Sequence, residues 1–484
     1  MNIHLILQMA ADAMGDRQAL TYDGRSLSYA ELDQTARRVA AKIGGFERLG
    51  WLAENHPAMP ASLFGAALAG KPFVPINYRL AADRIEALKT RIAPALLVGE
   101  DLAATDGIET ISREQAIEGD LFEEDANPDP GVAIELFTSG TTGEPKSALL
   151  RHANLMAYIL GSVEFMGAGE DEATLITVPP YHVAGIAAVL SSTYAGRRMV
   201  QLPAFTPASW IETARAENVT NVFLVPTMLQ QIVEHAPDDL NLPSLRAISY
   251  GGGKMPLAVI ERAMQLFPNC DFTNAYGLTE TSSTICLLDA DAHREARDSD
   301  DPLVRRRLAS VGRALPTIEI AIRSEDGAEC GPDEVGQVFA RGDQIGGEYK
   351  GLGSQLDADG WFPTRDVGFL DSEGYLFLDG RADDVIVRGG ENISPGEVED
   401  VLLTHPAVSE CAVVAVSDEQ WGEAVGAVVI CKDAPPHEEE LQEHVRASLR
   451  SSRVPSKVLF VNELPYNETG KLLRRVLRDQ IDSA

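Results

Sequence analysis

The sequence predicts an α/β protein: a large N-terminal domain of βαβ-type sheets with a β-rich subdomain, followed by a small α+β domain. Three observations carry this. Over residues 51–130 apolar runs alternate with helical patterns, as where Ala61–Leu68 precedes Phe73-Val74-Pro75-Ile76, which is the signature of βαβ units and a largely parallel sheet. Over 310–350 short strands such as Glu319–Ile322 and Gln337–Ala340 are separated by Gly/Asp turns, which marks a β-rich segment. The final hundred or so residues repeat strand and helix signals on a smaller scale, with strands at Ser409–Val416 and Ala424–Cys431 and a helix at Glu438–Leu449. At 484 residues the chain has room for two or three domains and a large core.

Bulk properties narrow the class. Apolar content of 45% with 24% charged residues is that of a globular protein. A formal net charge of −32 argues against a nucleic-acid partner or an anionic membrane surface. No apolar run reaches the roughly 18–20 residues that span a bilayer, so no integral membrane contact is expected. Met1-Asn2-Ile3-His4-Leu5 lacks a basic leader, and the five scattered cysteines have no Cys-x-x-Cys pair; both fit reduced thiols in a cytoplasm and no structural zinc.

In chain order, an amphipathic helix opens the sequence, a hairpin turns at Asp23-Gly24, and Ser28 with Glu31 forms a capping box for the next helix. Glu118–Pro130, acidic and Pro-rich, reads as a surface loop. Val132–Phe137 reads as a buried strand, and it runs into Thr138-Ser139-Gly140-Thr141-Thr142-Gly143-Glu144-Pro145-Lys146-Ser147. Glycines let successive N–H groups face one concavity, hydroxyls donate to phosphate or ligate a cation, and Lys146 adds a mobile charge. Pro145 stands where a Walker loop needs glycine, so this is a different anion loop.

A strand at Leu175–Val178 leads through Pro179-Pro180-Tyr181-His182-Val183-Ala184-Gly185 into a small-residue helix from Ile186 to Ala195. Those small residues fit either close helix packing or a roomy pocket. Strands at Asn221–Val225 and Ala247–Tyr250 flank a helix at Thr227–Glu234, and the second ends in Gly251-Gly252-Gly253, where a flat ring could approach the backbone. In Asn274-Ala275-Tyr276-Gly277-Leu278-Thr279-Glu280, Tyr276 offers a stacking face, Thr279 a phosphate donor and Glu280 a hard oxygen ligand for Mg²⁺. Residues 289–308 are densely charged and read as a solvated surface insertion, with an anion site at Arg305-Arg306-Arg307 as the alternative. Residues 441–484 carry eight Lys or Arg against five Asp or Glu, a basic region on an acidic chain.

These motifs, in this order, resemble the adenylate-forming superfamily of acyl-CoA synthetases, luciferases and adenylation domains, and most closely a stand-alone carboxylate–CoA ligase. Ser147, Lys254 and Arg365 depart from the family pattern, standing where Gly, Pro and Gly are commoner. The resemblance implies a 1–382 adenylation domain and a mobile 383–484 domain hinged at Asp383. It implies that Thr138, Ser139, Gly140, Thr142, Gly143, Lys146, Gly251, Gly252, Asn274, Ala275, Tyr276, Gly277 and Thr279 bind ATP or AMP, with Asp366 on the ribose hydroxyls and Arg381 near ribose and phosphate. Glu280 and Thr141 would hold Mg²⁺, a hydroxyl of Thr142 being the alternative, and Lys471 would bridge the substrate carboxylate and α-phosphate. His182 would gate an acyl pocket lined by Val183, Gly185, Gly251 and Gly253, while Gly389, Gly390, Trp421 and Arg453 would meet CoA. Arg365 would contact an anion or, preferentially, pair with a neighbouring acid, and Ser394 would cap a helix over Pro395–Leu403. The implied activity is formation of acyl-AMP and pyrophosphate from a carboxylic acid and ATP, then acyl-CoA and AMP from CoA, in a cytoplasmic enzyme whose assembly as a homodimer is left open. The alternative passes the acyl group to a carrier protein or partner enzyme. A non-catalytic acyl-adenylate sensor is disfavoured because Lys146, Glu280, Asp366, Arg381 and Lys471 are all retained.

Overall fold

The computed structural model describes all residues except 101, 128–130, 139–144, 238–239, 382–383, 390, 419, 433, 467–471 and 484, and the side chain of Asn392. The chain packs as two units, 1–319 with 340–362, and 320–339 with 363–484.

The first unit is built on two sheets. In the nine-stranded sheet, six parallel strands form the centre: Gln18–Tyr22, Arg198–Gln201, Ala173–Ile176, Asn221–Leu224, Ala247–Gly251 and Asp271–Leu278. Antiparallel strands close its edges, Arg25–Ser28 at one end and Ser283–Leu288 with Arg313–Ala314 at the other. The eight-stranded sheet has a parallel half, Ile108–Ile111, Ala95–Gly99, Arg48–Leu52, Phe73–Pro75 and Val132–Thr138, and an antiparallel half of Lys146–Arg151, Glu348–Tyr349 and Gly353–Ser354. Parallel strands are covered on both faces and therefore read as unbroken apolar runs; Ala95–Gly99 is buried at every position. The helix Ala58–Leu68 is buried throughout, as its apolar residues on all sides require. The helix Tyr29–Ile43 starts at the expected capping box, with Ser28 and Glu31 satisfying each other's backbone N–H groups.

Two stretches depart from expectation. The strand before the Pro-Pro turn stops at Ile176, because Pro179 and Pro180 lack ladder donors, and the next helix begins earlier, at Val183. Residues 289–308 lie at the surface as expected, but they are folded and partly packed: they form the helices Ala290–Asp298 and Pro302–Arg305 and a 3₁₀ turn, with Ala292, His293, Ala296 and Leu308 buried. Arg305 pairs with Glu261 at 2.9 Å and Arg307 with Glu295 at 3.0 Å, so neither is held for an outside anion.

The second unit carries two antiparallel-rich sheets. One orders Glu319–Arg323, Gly336–Arg341, Phe362–Leu370 and Leu376–Arg381. The other orders Glu391–Ile393, Ile386–Arg388, Gly422–Cys431 and Val408–Asp418, with Lys457–Phe460 parallel to Gly422–Cys431. The helix Pro395–Leu403 forms as expected, but Ser394 does not cap it; its hydroxyl donates to the Asp379 carbonyl instead.

Candidate active site

The anion loop closes a hairpin. Val132–Thr138 and Lys146–Arg151 are antiparallel, with Thr138 opposite Lys146. Ser139, Gly140, Thr141, Thr142 and Gly143 lie outside the described residues. What fixes the loop's two ends is visible. The Thr138 hydroxyl donates to the Lys146 carbonyl at 3.4 Å. Arg91 donates to the Pro145 carbonyl at 2.8 Å and lies 5.3 Å from the centre of the Phe137 ring. Beneath the hairpin, buried Glu135 accepts from Arg48 at 3.0 Å and from Lys350 at 2.9 Å, a buried charge compensated twice. Ser147 is buried, and its carbonyl accepts the Lys350 N–H at 2.9 Å.

Lys146 leaves this hairpin towards Tyr349, its ammonium 5.6 Å from the ring centre. The Tyr349 hydroxyl donates to the Glu280 carboxylate. Glu280 and Thr279 sit in the 3₁₀ turn Thr279–Thr281, which is tied down twice: buried Gln344 donates to the carbonyls of Thr281 and Thr284 at 3.0 and 2.8 Å, and Gly347 N–H donates to the Glu280 carbonyl at 3.0 Å. Tyr349 and Gln344 have no motif signal in the sequence. Among the described residues no three His, Cys, Asp or Glu side chains form a metal cage. A lone carboxylate beside a lysine suits a hard divalent cation that arrives on a phosphate-bearing ligand and takes its remaining oxygens from phosphate and water.

Leading into that turn, Asn274, Ala275, Tyr276 and Gly277 lie on the strand Asp271–Leu278. The Asn274 amide is committed to the fold, donating to the Ser310 carbonyl at 3.1 Å. Tyr276 is buried. At Gly251 a side chain would meet the Ala275 carbonyl at 2.1 Å, so this glycine lets the two strands close up. Gly252 and Gly253 follow it, exposed.

His182 precedes the helix Val183–Ala195, at its N-cap. It belongs to an aromatic row: Tyr78 meets Tyr181 with ring centres 5.5 Å apart, and Tyr181 meets His182 at 4.5 Å. Arg79 lies over Tyr78 at 5.5 Å. Burial, with the nearby Arg79 charge, lowers the His182 imidazole to about 4, so it is neutral near pH 7; its Nε2 is buried with no hydrogen-bond partner. Beside it runs a narrow cleft lined by Ile176, Val178, Ala184, Gly185, Ala188 and Phe223. Gly185 lines this cleft; Val183, Gly251 and Gly253, the other residues expected around an acyl group, are not in its lining.

The second unit holds the remaining candidates. Asp366 and Arg381 are cross-strand neighbours, paired at 2.9 Å, with Asp366 buried. Arg365 takes a left-handed backbone, φ +64°, and its exposed guanidinium makes no ion pair among the described residues, so the expected pairing with a neighbouring acid is absent. At Gly389, φ +59°, a side chain would meet the Trp421 ring at 2.6 Å; Gly389 N–H donates to the Trp421 carbonyl at 3.0 Å, and Arg388 lies 5.8 Å from that ring. Asp418 holds the turn by accepting the N–H groups of Gln420 and Trp421, both at 2.9 Å. Arg453 is engaged by Glu391 and Glu397, and half-buried Arg474 by Glu399 and Asp384. Much of the basic region is therefore internally compensated. Asp383, Gly390 and Lys471 lie outside the described residues.

The family model described as AMP-binding enzyme matches residues 7–350, and the AMP-binding enzyme C-terminal domain matches 397–471. Feruloyl-CoA synthase from an Amycolatopsis species is 31% identical, covering 95% of each chain. A fatty acid–[acyl-carrier-protein] ligase, ScoC, of Streptomyces coeruleorubidus is 30% identical over 96% of this chain and 94% of its own. Among solved structures, o-succinylbenzoate CoA synthetase (MenE) of Bacillus subtilis, in complex with its acyl-adenylate intermediate, superposes with a TM-score of 0.84 at 28% identity over 98% of both chains. ATP-bound MatB of Rhodopseudomonas palustris gives 0.86 at 25% identity over 100% and 99%.

Proposed function

The chain belongs to the AMP-binding enzyme family, and from that premise we propose that it is an ATP-dependent carboxylic acid–CoA ligase that forms an acyl-adenylate and then a thioester. The observation that carries this is the meeting of Lys146, Tyr349 and Glu280 beside the loop hairpin, a cation and a carboxylate aimed at the place where phosphates enter.

In the first half-reaction a substrate carboxylate oxygen attacks the α-phosphorus of ATP and the bond to pyrophosphate breaks. Two anions must be brought together, so neutralisation and alignment are the main tasks. Lys146 and the loop hold the β- and γ-phosphates, and Lys471 bridges the carboxylate and α-phosphate. Glu280 would hold Mg²⁺, which would supply charge neutralisation to the phosphates. Asp366, oriented by Arg381, accepts from the ribose hydroxyls. Neutral His182 borders the acyl group without adding charge.

In the second half-reaction the C-terminal domain turns about Asp383, Lys471 withdraws, and the Gly389–Trp421 surface meets the pantetheine arm. The CoA sulfur then attacks the acyl carbonyl and AMP leaves. Lys471→Ala is expected to abolish ATP–pyrophosphate exchange while sparing thioester formation from supplied acyl-AMP; equal loss of both would refute this division.

The aryl acids named for the feruloyl and succinylbenzoyl relatives favour an aryl acid as substrate. A second acceptor reading is favoured by Arg453 being held by two glutamates and by the carrier-protein ligase among the relatives: the acyl group would pass to a carrier-protein thiol. A mass-spectrometric panel of acids with ATP, with CoA or a carrier protein added, decides acid and acceptor together. No described helix is long and apolar enough to cross a membrane; we place the enzyme in the cytoplasm, and light scattering would show whether it is a homodimer.

A further inference from the structure

We propose that Tyr349 is a positioning residue that keeps Lys146 and Glu280 from pairing with each other, so that MgATP meets two separate charges and not an ion pair it must first break. This rests on the assignment above of Lys146 to phosphate and Glu280 to the metal.

Tyr349 touches both groups, and the fold holds it there. The two-residue strand Glu348–Tyr349 pairs with the strand that begins at Lys146, Tyr349 opposite Ala148. One step earlier, Gly347 N–H fastens this segment to the Glu280 carbonyl at 3.0 Å. The ring therefore presents a face to the Lys146 ammonium, 5.6 Å away, and its hydroxyl to the Glu280 carboxylate. A half-buried ammonium and carboxylate that share one neighbouring side chain attract each other, and the attraction grows as water is excluded. Among the described residues neither makes an ion pair. Each is instead held by a neutral group: a ring face for the cation, a hydroxyl donor for the anion. Both contacts are readily exchanged for phosphate and metal, and both are lost from one side chain.

The test uses the full chain and equilibrium binding of α,β-methylene ATP by calorimetry, over a series of Mg²⁺ concentrations. Tyr349→Phe keeps the ring under Lys146 and frees Glu280; Tyr349→Leu removes both contacts. Tyr349→Phe is expected to raise the Mg²⁺ concentration for half-maximal nucleotide binding at least fivefold. Tyr349→Leu should raise it further and also weaken Mg²⁺-free binding, since Glu280 then neutralises Lys146. Adding Glu280→Gln to Tyr349→Leu should restore Mg²⁺-free binding, because an amide cannot form that pair; a merely structural role for Tyr349 would not respond to this change. Wild-type Mg²⁺ dependence in Tyr349→Phe, or no restoration by Glu280→Gln, overturns the proposal. If Lys146→Met leaves nucleotide affinity unchanged in the otherwise native protein, the underlying site assignment fails, and the proposal with it. Thermal unfolding identifies any variant that does not fold; should Tyr349→Leu be one, the Tyr349→Phe titration decides alone.

Discussion

Asp366 is buried, and the Arg381 guanidinium is what makes its burial tolerable. An asparagine there keeps the shape and one acceptor but removes the charge that Arg381 compensates. Asp366→Asn should lower unfolding stability by about 1–3 kcal/mol, the range for a charged hydrogen bond lost in a partly screened site. The same change should weaken nucleotide binding at least tenfold, because a carboxylate accepts from two ribose hydroxyls where an amide must donate from one side. Urea titration and calorimetry on one preparation separate the two effects; unchanged nucleotide affinity would remove Asp366 from the ribose site. Its neighbour Arg365 tests backbone cost. A left-handed conformation costs an ordinary residue roughly 1–2 kcal/mol, and glycine costs about 0.5–1 kcal/mol in lost chain freedom. With no ion pair to lose among the described residues, Arg365→Gly should raise stability by under about 1 kcal/mol. A clear fall in the urea midpoint would show that the guanidinium holds something in the fold.

The turn that joins Gly389 to Trp421 behaves as one element. Asp418 fixes the tryptophan backbone, Gly389 accepts the ring at a distance no side chain tolerates, and Arg388 covers it. Gly389→Ala must move the ring or the backbone and pays the left-handed penalty as well, roughly 1–3 kcal/mol in all. Adenylation, monitored by pyrophosphate exchange, should stay within twofold, while the KM for CoA rises at least tenfold; loss of exchange instead would place this turn in the first half-reaction. Elements of this kind show how far the sequence could be read. The Ser28–Glu31 box, the parallel centres of both sheets and the Pro395–Leu403 helix were legible because their signals are local: a cap spacing, an apolar run, a proline at a first turn. The motifs that carry Lys146 and Glu280 were readable as candidates for the same reason, being short local patterns. Tyr349 was not, because its partner Glu280 lies 69 residues away and only the tertiary fold brings the two together. Gln344 and the Glu135–Lys350 pair were hidden for the same reason. Ser394 misled because a cap spacing cannot reveal a competing carbonyl from another strand.

At the scale of the whole chain the question is how a protein of net charge −32 holds together and handles anionic reactants. Its arginines are largely distributed into local pairs, such as Arg197–Glu172 at 2.8 Å and Arg198–Glu217 at 2.7 Å, and this leaves few to act at a distance. Acid should therefore be felt first through the histidines. Burial lowers His56, His152, His182 and His293 to about 4 each, all within the first unit. In the unfolded chain the same groups titrate near 6.5. Their folded values are depressed, so between about pH 6.5 and 4 the unfolded state binds more protons, and stability falls as pH falls through that window. Above about pH 7.5 all four are neutral in both states and contribute no slope. Carboxylates held low by arginines, such as Glu172, which Gly169 N–H and Arg197 stabilise against its own burial, begin to act only as pH falls into their usual range, about 4. Urea midpoints are thus expected to be nearly flat above about pH 7.5 and to drop steadily from about pH 7 to 5. His293 is the informative variant, because Tyr250 and the Asp289 carbonyl occupy both its nitrogens, each at 2.8 Å. His293→Gln should lower stability at pH 7 yet flatten the slope below pH 6.5, since one of the four groups that must take up a proton on unfolding is gone. Equal midpoints at pH 7 and pH 5 in the native chain would mean that these imidazoles are far less shielded from water than their packing indicates.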